Sequence, residues 1–254
     1  MEQARATDGA YPAGGGSGMN LFLEAFAWIF SPDRLDGGAL SLPANIGLHL
    51  WYTLVSVVIA AIIAVPLGWW IGHTGRGRNV AVVISGMARA IPSLGLVILL
   101  VMLMGVALKG PAAIVAFVVL AIPSILAGAY SGIDAIDRRT LDAARAVGMN
   151  TWQVLFRVEV PLSLPLLIGG LRAAALQVVA TVAIAAYVGL GGVGFFILQG
   201  IQTRRFDQIL GASIVVVVLA LAIDALLALL QRVVTPAGVR IRLTQARAAA
   251  VATA

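Results

Sequence analysis

The sequence contains no cysteine, which removes disulfides, thiolate metal sites and cysteine nucleophiles and leaves the redox compartment undetermined. Charge is nearly as scarce. Only 11% of the 254 residues are Asp, Glu, Lys or Arg, where a soluble domain carries about 25%. The lone lysine, Lys109, stands in ALKGP, which is no phosphate-binding loop, so the chain has no Walker motif with which to hydrolyse ATP itself. Neither G-x-S-x-G nor H-E-x-x-H occurs, which argues against a hydrolase. The two histidines, His49 and His73, flank one apolar run at opposite ends and cannot share a metal. The formal charge of +6 does not read as a nucleic-acid surface, because the arginines fall singly or in pairs between apolar runs, without a basic stripe or interleaved aromatics.

What the chain does have is apolar length. Hydrophobic residues make up 61% of it, and several runs approach or exceed the roughly 18–20 residues that cross a bilayer. Membrane lipid is therefore the solvent for most of the sequence, and the predicted class is an all-α integral membrane protein. Five spans are expected: Ile46 to about Gly72, Val80 to Met104, Ala112 to about Ser131, about Leu162 to Val188, and about Ile209 to Leu230. The second is interrupted by Arg89 and by Pro92, whose missing N–H kinks a helix. The third carries its own Pro123. Residues 20–30, NLFLEAFAWIF, are too short to cross and read as an interfacial helix within a segment 19–42. Residues 1–18, rich in Gly, Ala and Ser, read as a disordered tail, with Met19 as a candidate start. The spanning domain then occupies 43–236, and 237–254 form a C-terminal tail.

Cytoplasmic loops carry an excess of Lys and Arg. With the N-terminus outside, ten basic residues (Arg76, Arg78, Arg138, Arg139, Arg145, Arg157, Arg232, Arg240, Arg242 and Arg247) lie inside, against five (Arg5, Arg34, Lys109, Arg204 and Arg205) outside. The C-terminus is then cytoplasmic. Arg89 and Arg172 lie within apolar runs, where such groups turn inward or snorkel to the interface, and Asp224, the embedded carboxylate, is expected in a helix–helix ion pair with no partner singled out. No internal repeat suggests the inverted halves of an ion-coupled secondary transporter, and Gly189–Gly194 reads as an external turn after the fourth span.

The long loop 132–161, GIDAIDRRTLDAARAVGMNTWQVLFRVEVP, is not a tether. RRTLDAARAV consists mostly of good helix formers and stops at Gly148, which tolerates the left-handed conformation that closes a helix. Asn150 offers an N-cap, with Gln153 in the capping-box position. A second short helix, TWQVLFRVEV, is expected to end at Pro161. Trp152, Leu155 and Phe156 form an apolar stripe on it that needs a partner, either the chain's own spans or another protein.

This loop resembles the cytoplasmic signature of ABC importer permeases: Glu-Ala-Ala, three residues, Gly, nine residues, then Ile, any residue, Leu and Pro. Here stand Asp142, Ala143, Ala144, then Gly148, then Val158, Glu159, Val160 and Pro161. The chain is most similar to the osmoprotectant permeases for glycine betaine, carnitine, choline and proline, through LPANIGLHLWYTL, AIPSLGL at 90–96, GMNTWQVLFRVEVPLSLPLLIGGLR and GLGGVG at 189–194. Methionine-type and other amino-acid permeases share the layout. The resemblance implies a type I ABC importer permease fold in a bacterial plasma membrane. It implies a second permease subunit, identical or paralogous, two ABC ATPase subunits that bind ATP and Mg, and an extracytoplasmic substrate-binding protein. It makes Asp142, Ala143, Ala144, Gly148, Met149, Asn150, Thr151 and Trp152 the ATPase-coupling residues. No cofactor is expected in this chain. Polarity within the spans suggests Pro92, Ser93, Gln177, Thr181 and Tyr187 as pathway residues.

Overall fold

A computed structural model describes residues 18–36, 38, 40–79, 83, 85, 86 and 90–235. The expected tails 1–18 and 237–254 fall almost wholly outside the described residues, as does Arg89. Every regular element among the described residues is helical: α1 (Gly18–Ile29), α2 (Pro32–Leu35), α3 (Leu42–Thr74), α4 (Ser93–Met104), α5 (Lys109–Asp134) and α6 (Arg138–Ala146) come first. A continuous run, α7, comes next, made of Thr151–Val154, a π-helical turn Leu155–Glu159 and Val160–Ile184, and then α8 (Gly194–Thr203) and α9 (Phe206–Val234). Four of the described helices are long and apolar enough to cross a bilayer, those within Leu42–Thr74, Val106–Asp134, Thr151–Val188 and Phe206–Val234. They match four of the five expected spans. In the remaining one, Pro92 stands as the N-cap of the 12-residue α4, so the chain restarts its helix there instead of bending through.

The centre is α5, packed between α3 and α7. Its inward residues are small or apolar, among them Ala113, Ala116, Phe117, Ala121, Ile125 and Ala129, all fully buried. Lipid offers helices no hydrophobic incentive to associate, so close van der Waals approach through small residues holds them together. Gly128 of α5 faces Gly170 of α7 so tightly that a Cβ on Gly170 would stand 2.6 Å from the Ser124 carbonyl oxygen. Gly68 and Gly72 of α3 meet Ala129 and Ile133 in the same manner.

The outermost long helix, α9, fully buries only Gln208, Gly211 and Ala212; Val215 and Val216 pack against the cluster of Trp28, Leu42, Val193 and Phe196, while Val217, Val218, Leu221, Leu226 and Leu229 face outward. The helix is fastened to α7 by an ion pair of the kind expected for Asp224, with Arg172 as the partner. Arg172 donates from Nε and Nη2 to the two carboxylate oxygens of Asp224 at 2.8 and 2.7 Å, and from Nη1 to Gln231 at 3.1 Å. Gln231 in turn donates to the Pro165 carbonyl at 2.7 Å, since a carbonyl oxygen has two lone pairs and can accept a side-chain bond beside its helical one. A forked arginine–carboxylate bond of this kind satisfies both charges without water. The segment read as interfacial, α1, packs across α9, with Ala25 and Trp28 buried and Phe22, Leu23 and Phe26 exposed.

Gly170→Val is expected to lower the yield of folded, monodisperse protein from membranes severalfold, since forcing a side chain into a packed contact costs about 1–3 kcal/mol. Gly169→Val, one residue away with nothing within 4 Å of its Cβ position, leaves the yield unchanged; equal losses in size-exclusion profiles of the two variants would refute the packing argument.

Candidate coupling surface

The loop between α5 and α7 forms the corner that its residue types dictate. Asp137 caps α6 by accepting from the Arg139 amide at 2.9 Å. The other end closes at Gly148 with φ of +87°. The Gly148 amide donates to the Arg145 carbonyl at 2.9 Å and the Met149 amide to Ala144 at 3.2 Å. This is a Schellman closure, the arrangement for which glycine carries no steric penalty. Asn150 then starts α7 with the expected capping box: the Gln153 amide donates to Asn150 Oδ1 and the Asn150 amide to Gln153 Oε1, both at 2.9 Å.

One expectation fails. Pro161 does not end the second helix, which runs on into the membrane. The cause is the π-turn just before it, where the Val160 amide donates five residues back to Leu155. A proline clashes with the carbonyl four residues earlier and offers that carbonyl no donor; the wider turn absorbs both defects without breaking the helix axis.

The predicted coupling residues lie together on this corner. Asp142, Ala143, Gly148, Asn150, Thr151 and Trp152 are exposed, Met149 is half-buried and Ala144 is buried. Asp142 meets Arg145 at 3.5 Å. Of the apolar stripe, Leu155 turns inward, whereas Trp152 is 69% and Phe156 57% exposed. Their rings stack with centroids 6.0 Å apart at 11°, and Val147 stands exposed on the same corner. The chain's own spans therefore leave the aromatic pair uncovered.

The suggested pathway residues are less unified. Gln177 and Tyr187 fall on the outward stripe of α7 and its 3₁₀ continuation, together with Ala173, Ala180 and Ile184, whereas Thr181 is buried and returns its hydroxyl to the Gln177 carbonyl at 2.8 Å. Pro92 and Ser93 sit at the start of α4. No group of three or more His, Asp or Glu among the described residues could hold a metal ion.

Three features escape sequence reasoning. Helix α8 lies where the sequence suggests only an external turn; the turn exists, with positive φ at Gly189, Gly191 and Gly192, and Lys109 Nζ holds it through the Gly189 carbonyl at 2.6 Å. His49 is fully buried beside it and bonded to the Val179 carbonyl at 3.0 Å. His73 Nδ1 lies 2.5 Å from Glu159 Oε2. For the last, the available signal is a single carboxylate in the apolar VEV run, which needs a partner wherever it is buried.

Residues 64–238 match the family of the binding-protein-dependent transport system inner membrane component. The glycine betaine/carnitine/choline transport system permease protein OpuCB of Bacillus subtilis is 31% identical over 82% of this chain and 94% of its own length. The carnitine transport permease protein OpuCB of Listeria monocytogenes is 32% identical over 76% and 87%. The osmoprotectant import permease protein OsmW of Salmonella typhimurium is 34% identical over 76% and 91%. Among solved structures, a chain of the inward-facing MetNI methionine ABC transporter superposes with a TM-score of 0.66 at 24% identity, covering 75% of this chain and 94% of the other, which shows the type I importer permease fold.

Gly148→Val is expected to strain the corner by about 1–2 kcal/mol, the cost of a left-handed conformation in a residue with a Cβ. No neighbour lies within 4 Å to add a clash. Amide exchange at Met149 should accelerate about 5–30-fold, with Gly148→Asn affected less; unchanged exchange in Gly148→Val would contradict the closure described. The sequence match, the fold and the matching spacing of the loop signature agree, and the chain belongs to the inner membrane components of binding-protein-dependent transport systems.

Proposed function

We propose that this chain is the permease subunit of an ATP-driven importer for osmoprotectants such as glycine betaine, carnitine, choline or proline. The observation that carries the coupling half of this reading is the uncovered Trp152–Phe156 stack on a preformed corner. An exposed aromatic pair on a short helix suits docking into a groove of a partner, and the ATPase subunit is the partner that the loop signature names. The cargo half rests on the relatives, whose names specify glycine betaine, carnitine and choline. Two permease subunits, two ATPases holding ATP and Mg, and an extracytoplasmic binding protein complete the assembly. The N-terminus lies outside and the C-terminus inside, as the arginine distribution favours, which puts the 132–161 loop on the ATPase side.

In this scheme closure of the ATPase pair displaces the corner as a near-rigid body, and the pathway alternates between inward-facing and outward-facing states. Loaded receptor and ATP must each favour one state, or the cycle has no drive. Gln177, Thr181, Tyr187, Pro92 and Ser93 remain the proposed pathway residues.

Quaternary ammonium groups are held best by aromatic cages. Trp51, Tyr52, Trp69 and Trp70 lie towards the two ends of α3, with Trp51 and Trp70 turned outward. Of the described ring pairs, Trp152–Phe156 lies on the corner outside the spans, and Trp28–Phe196 is already occupied by the Arg34 guanidinium, 5.5 Å from the Trp28 centroid and 5.8 Å from that of Phe196. Selection is therefore assigned to the receptor. In proteoliposomes, receptor loaded with glycine betaine should stimulate both ATPase activity and uptake. The receptor-free complex should show no saturable binding of glycine betaine up to about 1 mM. Tight binding without receptor, or uptake specific for methionine and indifferent to osmolytes, would defeat this assignment.

A further inference from the structure

The coupling segment 135–158 is continuous in sequence with α5 and α7 but not with α3, so any movement it transmits to α3 must pass through non-covalent contacts. Beside the close packing of α3 against α5 and α7, two polar bonds make that connection, one at each end of the segment. At the entry, Arg78, just beyond α3, meets Asp134 at 3.1 Å, with both side chains about half exposed. At the exit, His73 in the last turn of α3 meets Glu159 at 2.5 Å. This second bond is of a different kind. Glu159 is only 2% exposed, and its backbone closes the π-turn two residues before Pro161. Exposed ion pairs contribute little because water and salt screen them. A buried carboxylate deprived of its partner is costly, so the bond resists being opened. Around it the packing is unyielding, since a Cβ on Gly72 would stand 2.8 Å from Ile133 and one on Gly132 would stand 2.7 Å from the Ser163 carbonyl.

We propose that the His73–Glu159 bond is the tie through which displacement of the coupling segment is passed to α3, making the two residues a positioning pair for transport. The proposal rests on the coupling role of the 132–161 loop. The pair sits at the base of the corner, where a rigid lever needs its anchor, while the docking face itself, Trp152 and Phe156, points away from the chain. Removing the tie should leave docking intact and uncouple ATP hydrolysis from uptake.

The test uses the assembled permease–ATPase complex in proteoliposomes with its receptor. His73→Phe, which keeps a planar ring and loses the polar contact, should copurify with the ATPase as the unaltered chain does. Uptake per ATP hydrolysed should fall on the order of tenfold, within the range of couplings between linked sites. The exchanged pair, His73→Glu with Glu159→His, should restore it; a residue needed only for folding would alter yield and leave that ratio alone. A second measurement holds even where uptake is too low to read. On the cysteine-free background, spin labels at Arg76→Cys and Arg157→Cys should give one distance distribution in both the resting and the nucleotide-trapped states, and two in His73→Phe. An unchanged uptake-to-ATP ratio in His73→Phe, no rescue by exchange, or a distance that shifts in the otherwise unaltered chain overturns the proposal. Loss of ATPase copurification in His73→Phe also overturns it, by assigning the pair to docking. Failure of the unaltered chain to bind the ATPase through this loop instead defeats the coupling reading, and copurification reports that separately.

Discussion

Pro161 lacks the N–H that an α-helix needs at its position, and the π-turn in front of it lets the helix pass through regardless. The architecture of the loop between α5 and α7 depends on that accommodation. With it, the residues from Thr151 to Ile184 form one continuous rod, so the aromatic pair at its tip is rigidly connected to the helix that carries Arg172, Gln177 and Thr181. A hinge at Pro161 would absorb motion that a continuous helix can convey. The turn before the rod is equally stiff for its size, with a Schellman closure, a capping box and a capped α6 tying down the backbone amides of the corner.

Within the bilayer the chain solves a different problem. Its helices are apolar on both the inner and the outer faces, so burial alone cannot choose which surfaces meet. Selection comes from shape and from a few polar contacts. Gly128, Gly132, Gly170, Gly68 and Gly72 allow backbones to approach where larger residues could not. The forked Arg172–Asp224 bond, extended by Gln231 to Pro165, sets the register of α9, which fully buries only Gln208, Gly211 and Ala212.

Features governed by short-range rules are legible in the sequence. Gly148, Asn150 and Gln153 stand at fixed offsets that dictate their roles, and the structure realises each one. An ion pair for Asp224 can be expected in advance because a lone carboxylate in an apolar run has few alternatives, but the choice of Arg172 as its partner needs the fold. Pro161 misleads because a proline ordinarily stops a helix, and no periodicity announces a π-turn. Helix α8 escapes because it is ten residues long and comes after a turn of glycines with positive φ. The His73–Glu159 bond is beyond local rules altogether, since 86 residues separate its partners. The second span is legible only in part: Pro92 marks the start of α4, and Arg89 lies outside the described residues.

The central claim is that the corner at Gly148 presents Trp152 and Phe156 to a cytosolic motor. A photo-crosslinking amino acid placed at Trp152 in intact cells tests it most directly, with Trp51, exposed on α3, as the control position. Cross-linking from position 152 to the ATPase subunit, and none from position 51, is the result predicted. Cross-linking from position 152 only to lipid, or to a protein outside the cytoplasm, would contradict both the docking surface and the orientation of the chain.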